Sequence, residues 1–219
     1  MIAKDKKRAI DLVMNVLIVL TTAWAVLMYF IGEPDILGSH DIQCFKYFTT
    51  DSNILAALGS LFYLSFRFLH RDDPSRTPPH WLALFKFIGT VAASITLLTV
   101  VFFLAPMGAI RGKGLHTVLL FFSGNVFVLH LSTPVLSILS TLFLEKDPPL
   151  TRKQALWGTL PTTVYALVYL TMVVLLKQWD DWYGFTFGGQ YQFVPVVMIV
   201  MFLFSLGLSL AERRIRGAH

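Results

Sequence analysis

The chain has 219 residues, of which 55% are hydrophobic and 14% charged, and its apolar residues gather into long runs instead of alternating with polar ones. That pattern excludes a soluble single-core domain and marks a multi-span membrane protein. The net charge of +5 invites comparison with nucleic-acid binders, but the placement of the basic residues serves orientation across a membrane, and no nucleic-acid partner is expected.

Six runs approach or exceed the ~20 residues that a helix needs to cross the ~30 Å hydrocarbon core. They are expected at about 10–31, 44–69, 81–105, 115–143, 155–177 and 192–211, within one domain covering residues 1–219. With the N-terminus inside, Lys4, Lys6, Lys7, Arg8, Arg67, Arg71, Arg76, Lys146, Arg152, Lys153, Arg213, Arg214 and Arg216 are cytoplasmic. Lys46, Arg111, Lys113 and Lys177 fall on the other side, and Lys86 lies inside the third span, from which snorkelling towards the inner surface is expected. The positive-inside rule therefore predicts an all-α, polytopic bundle of six transmembrane helices with both termini cytoplasmic. The basic start also has the shape of a signal peptide, with Ala23-Trp24-Ala25 as its cleavage site, but the apolar run continues through Ile31 and fits a retained span better. The single cysteine, Cys44, excludes an internal disulfide.

The second span opens on five polar residues, Thr49, Thr50, Asp51, Ser52 and Asn53. Polar groups at membrane depth need partners, so this pentad reads either as a helix cap or as a working site. On a helical wheel Thr49, Asn53, Ser60 and Arg67 fall within about 40° of one another, whereas Asp51 points elsewhere and is open to a capping role. The inner loops, with Asp72-Asp73-Pro74 and Glu145-Lys146-Asp147-Pro148-Pro149, are expected to stop helices at proline and to keep their charges in water. In the third span Gly89 and Ala93 have the spacing of close helix packing.

The fourth span carries His116, Ser123, His130 and Ser137 at steps of seven, with Thr133 beside them, so these side chains share a face. His130 lies near mid-span, where an imidazole is a functional candidate and a histidine satisfied by a neighbour is the alternative. Pro161 is expected to kink the fifth span. The loop that follows is dense in aromatic residues. Trp182, Tyr183 and Phe185 read either as an interfacial belt or as a lid over a lipid-facing cavity, with Gly184, Gly188 and Gly189 as hinges.

Three stretches carry a family resemblance: Phe45-Lys46-Tyr47-Phe48-Thr49-Thr50-Asp51-Ser52-Asn53, then His130-Leu131-Ser132-Thr133-Pro134, then Trp182-Tyr183-Gly184-Phe185. In this order they resemble the androgen-induced and androgen-dependent TFPI-regulating membrane hydrolases, and more closely that group's bacterial six-span relatives. The resemblance implies a bacterial plasma membrane protein that hydrolyses lipid esters of the fatty-acid-ester-of-hydroxy-fatty-acid type without a metal or other cofactor. It places the threonine nucleophile on Thr49 and the histidine base on His130. In the animal pattern a second histidine shortly precedes the functional one, whereas Val126, Phe127, Val128 and Leu129 stand there in this chain.

The chemistry is coherent, because a threonine hydroxyl is a weak nucleophile until a base takes its proton, and neutral imidazole suits that task. Asn53 or Ser52 is then a candidate donor to the oxyanion. Depth tests the pairing. From a helix start at Leu115, His130 lies about 22 Å down, while Thr49 lies about 8 Å from a start at Cys44, so the two miss by roughly 15 Å unless the fourth helix tilts or overhangs the bilayer. The competing readings are a small transporter or channel with Asp51, Asn53, His130 and Lys86 along its path, and a non-catalytic membrane protein whose polar residues cap and pack helices.

Overall fold

The computed structural model describes residues 2–32, 40–73, 75–108, 119, 123–145, 148–186 and 188–217. Among the described residues six helices are long and apolar enough to cross a membrane, and there is no strand. They are α1 (Ile2–Ile31), α2 (Phe48–Leu69), α3 (His80–Leu104), α4 (Gly124–Leu144), α5 (Arg152–Leu175) and α6 (Tyr191–Arg216). The chain is the all-α membrane bundle that its hydropathy predicts.

The most enclosed helix is α3, with 56% of its apolar stretch buried, and the loosest is α6, with 17%. Small residues explain the first value. Without a hydrophobic force between helices in lipid, close approach needs side chains that do not hold backbones apart. A Cβ on Gly89 would lie 2.9 Å from the Cα of Ala56 and 3.0 Å from the carbonyl of Leu55, so α2 and α3 touch backbone to backbone there.

Prolines shape three of the helices. In α3 and α4 a wide π turn precedes the proline by one residue: Val100–Leu104 before Ala105-Pro106, and Val128–Ser132 before Thr133-Pro134. The amides of Ala105 and Thr133 reach back five residues, to Val100 and Val128. A proline has no amide to offer the preceding turn, and local widening lets the helix continue past it. In α5 the expected kink takes another form. After a first α turn over Arg152–Ala155 the helix tightens into a 3-10 turn over Leu156–Thr159, and the Leu160 amide takes the Trp157 carbonyl that would otherwise face Pro161.

The fourth helix starts later than its apolar run. Ser123 is extended, and Gly124 turns the chain into the helix with a φ of +55°, a conformation for which glycine is suited. Of the expected 115–143 span, residues 115–118 and 120–122 lie outside the described residues, His116 among them.

Candidate functional site

The polar pentad sits where α2 begins, and its residues go separate ways. The helix starts at Phe48 after an extended Tyr47, and no side chain of the Tyr47 cap position closes it. Its first amide, that of Phe48, donates instead to the Tyr183 hydroxyl at 3.3 Å. The aromatic loop thus supplies an acceptor at the start of α2, the place for which the pentad offered a cap as one of its two readings. Asp51 is exposed, opening to a groove that also includes Phe85 and Ile88 of α3, whereas Lys86 on the same helix turns towards α1 and α4.

Ser52 and Asn53 brace Thr49 from below. The Ser52 hydroxyl lies 3.0 Å from the Thr49 carbonyl and 2.7 Å from the Thr96 hydroxyl. The fully buried Asn53 donates its amide to the Thr49 carbonyl at 2.6 Å and to the Leu129 carbonyl at 2.8 Å. Both amide protons are therefore engaged, and Asn53 acts as a brace; the oxyanion role expected for it is not open in this arrangement.

The Leu129 carbonyl needs that donor. Thr133, which would meet it in a regular helix, reaches Val128 instead, and Pro134 has no amide. An unmet carbonyl in hydrocarbon is costly, so α2 completes α4 at the residue immediately before His130. His130 itself is 7% exposed. Three residues on, Thr133 is fully buried, its hydroxyl 3.3 Å from those of Thr21 and Thr22 on α1. Ser123 stands outside this arrangement, exposed just before the helix.

The late start of α4 changes the depth comparison. His130 is six residues from Gly124, or about 9 Å along the axis, and Thr49 one residue from Phe48, or about 1.5 Å, which leaves a difference of roughly 7 Å instead of 15 Å.

Thr49 is half-buried on the wall of a narrow cavity of about 40 Å³ between α2, α3, α5 and α6. Thr96, Thr99 and Thr162 contribute hydroxyls, Phe48, Tyr165 and Tyr169 contribute rings, and Tyr183 and Phe185 close it from the loop. His130 is not among the lining residues.

The loop over this cavity is pinned by hydrogen bonds to Asp181. One oxygen of Asp181 accepts from the Tyr169 hydroxyl at 2.5 Å and the Phe185 amide at 2.9 Å, the other from the Thr186 amide and hydroxyl, both at 2.7 Å. Partial burial alone would push the Asp181 carboxyl up, but these donors outweigh it and hold it below the usual carboxylate range. Trp182 is wedged against Tyr47 and Trp179, with ring centroids 4.9 Å and 5.3 Å away. Burial pushes the Tyr183 phenol up to about 12, so it remains a donor at neutral pH.

The opposite, basic end of the bundle holds a second polar cluster that the sequence pattern did not reveal. Lys86 is 1% exposed and bonds to Glu145 and to the Asn15 carbonyl oxygen, with its ammonium 4.2 Å from the centre of the Tyr63 ring. It does not snorkel, and Glu145 does not stay in loop water: its side chain is fully enclosed. Ser140 donates to Glu145 at 2.5 Å, and the Tyr63 hydroxyl donates to Asp11 at 2.6 Å while accepting from Arg67 at 3.0 Å. Two carboxylates and an ammonium out of water require mutual pairing and added hydrogen bonds, which four helices supply here. The available signal was the spacing of Asp11 with Asn15, and of Tyr63 with Arg67, one turn apart inside apolar runs.

No protein-family model, curated protein or solved structure matches the chain.

Proposed function

We propose that the chain is an intramembrane lipid-ester hydrolase in which Thr49 is the nucleophile and His130 the base, oriented with both termini in the cytoplasm so that Thr49 serves the outer leaflet. The observation that carries this reading is a hydroxyl, Thr49, on the wall of a largely apolar cavity roofed by Tyr183 and Phe185. Such a site excludes bulk water and accepts hydrocarbon, as ester cleavage within a membrane requires.

In the first step the Thr49 oxygen attacks the ester carbonyl carbon, and its proton passes through an intervening water to the imidazole of His130. Collapse of the tetrahedral intermediate breaks the bond to the alcohol, which leaves with that proton. Water, deprotonated by the same imidazole, then attacks the acyl carbon; the bond to Thr49 breaks, the acid leaves, and the imidazole returns its proton to the Thr49 oxygen. Asn53 positions both partners, since it holds the Thr49 carbonyl and the carbonyl next to His130. With Asn53 occupied, the Tyr183 hydroxyl becomes the donor to the oxyanion: it stands 3.3 Å from the amide of Phe48, beside Thr49, and lines the same cavity.

The test compares turnover of hydroxy-fatty-acid esters, and labelling by a serine/threonine-directed probe, in purified wild type, Thr49→Ala and His130→Ala. Loss of turnover in both variants, with labelling abolished in Thr49→Ala, is the expected result. Equal signals in all three would remove the hydrolase reading.

A further inference from the structure

The Thr49 cavity does not end at its own walls. Thr99, Phe185 and Met201 line it and also line a larger groove of about 540 Å³ between α3 and α6. Beyond these three the groove is wholly hydrocarbon in character, with Leu98, Phe102 and Phe103 on one side and Val196, Val200 and Phe204 on the other. It faces the membrane, since Phe102 is 73% and Val200 57% exposed.

We infer that this groove is the acyl-chain site of the enzyme: one long hydrocarbon chain of a membrane ester lies along α6 between α3 and α6, passes the waist formed by Thr99, Phe185 and Met201, and brings its carbonyl to Thr49. The inference rests on Thr49 as the reacting group. Its dimensions fit one chain from one leaflet: the lining runs along α6 from Phe193 to Phe204, eleven steps or about 16 Å, roughly half of the ~30 Å hydrocarbon core. A second groove between α5 and α6 also meets the cavity, through Thr162, Ala166 and Met198, but it is smaller at about 260 Å³ and includes no residue of the aromatic loop. The loose packing of α6 is consistent with a helix whose neighbour at this depth is substrate as much as protein.

The experiment uses the full chain in nanodiscs with an ester whose long acyl chain ends in a photoreactive diazirine, and reads both cross-linked residues and turnover. In Thr49→Ala the label is expected on residues 98–103 and 196–204, displaced by an excess of the unlabelled ester. Val200→Trp fills the groove, and Leu203→Trp places the same ring on the same helix at a position 56% exposed and outside the groove lining. The first is expected to raise KM for long-chain esters about tenfold while short-chain esters are unaffected, and the second to leave both unchanged. Labelling spread evenly over all lipid-facing helices, or identical kinetics for the two tryptophan variants, overturns the groove. Failure of the hydrolase reading looks different: Thr49→Ala then turns over ester as wild type does, whatever the labelling shows.

Discussion

The side-chain amide of Asn53 donates to the carbonyl of Leu129 across 2.8 Å, in the place where Pro134 leaves α4 without a donor of its own. Asn53→Ala removes that bond and the one to Thr49, leaving two carbonyls less well satisfied, and is expected to destabilise the protein by about 2 kcal/mol. In a Pro134→Ala background the restored amide can serve the turn, so the same Asn53 substitution is expected to cost less. Reversible unfolding in mixed micelles gives the double-mutant cycle. An equal Asn53→Ala penalty in both backgrounds would break the link drawn between them.

At the basic end, removing one member of a buried pair strands the other. Glu145→Leu and Lys86→Met, singly, are each expected to destabilise by about 3 kcal/mol, while the double substitution costs less than the sum of the two because neither partner is left to strand the other, and Asp11 keeps its bonds from Tyr63 and Ser140. Additive losses in the same unfolding assay would show that the two side chains do not act as a pair.

The hold of Asp181 on the aromatic loop is predicted to depend on acid. The folded carboxyl titrates below its unfolded value, so its stabilisation is fully present above about pH 4 and is lost as pH falls through the lower, folded value. Fluorescence of Trp179 and Trp182, recorded against the other tryptophans by single-site replacement, is expected to stay flat from neutral pH to about pH 5 and to change below about pH 4. Asp181→Asn should lack that acid transition. A transition centred above pH 5, or one retained in Asp181→Asn, would assign the change to another group.

If Tyr183 steadies the oxyanion, Tyr183→Phe lowers kcat by about 10- to 100-fold with little change in KM, because the interaction is made mainly in the transition state. A rise in KM with kcat intact would leave Tyr183 as a wall of the cavity and cap of α2 only.

Gly89→Ala drives a methyl group against the backbone of α2, and overpacking of this kind costs about 1–3 kcal/mol. Gly207 on α6 has nothing within 4 Å of an added Cβ, so Gly207→Ala is expected to be neutral or slightly stabilising. Thermal unfolding of the two variants side by side measures the contrast, and matching melting temperatures would contradict the packing described for α2 and α3.

Hydropathy made the six helices legible because a bilayer imposes a length and a polarity that each residue reports locally. The start of α4 was hidden, since the apolar run passes through Leu119, Leu120, Phe121 and Phe122 without a break and only the left-handed Gly124 marks the turn. The cap of α2 was hidden for a related reason: the acceptor that meets its first amide belongs to Tyr183, 135 residues away. Glu145 looked like a loop charge because a residue scale cannot show that Lys86, 59 positions earlier, points at it. Thr49, His130 and the aromatic loop stood out in the sequence as unusual residues in an apolar chain; the brace between the first two required the register of two helices.

The incomplete turn of α4 also bears on how the chain is made. A helix that enters lipid alone has to satisfy its own carbonyls, and α4 lacks a donor at Leu129 until α2 is beside it. Because α2 is synthesised first, its Asn53 is already waiting when α4 leaves the ribosome. The same four segments, α1 to α4, also share the Asp11, Tyr63, Lys86 and Glu145 cluster. Biogenesis should therefore run in two stages: a four-helix intermediate closes around its own polar groups, and the last two helices, which bring the roof and the groove wall, dock onto it afterwards.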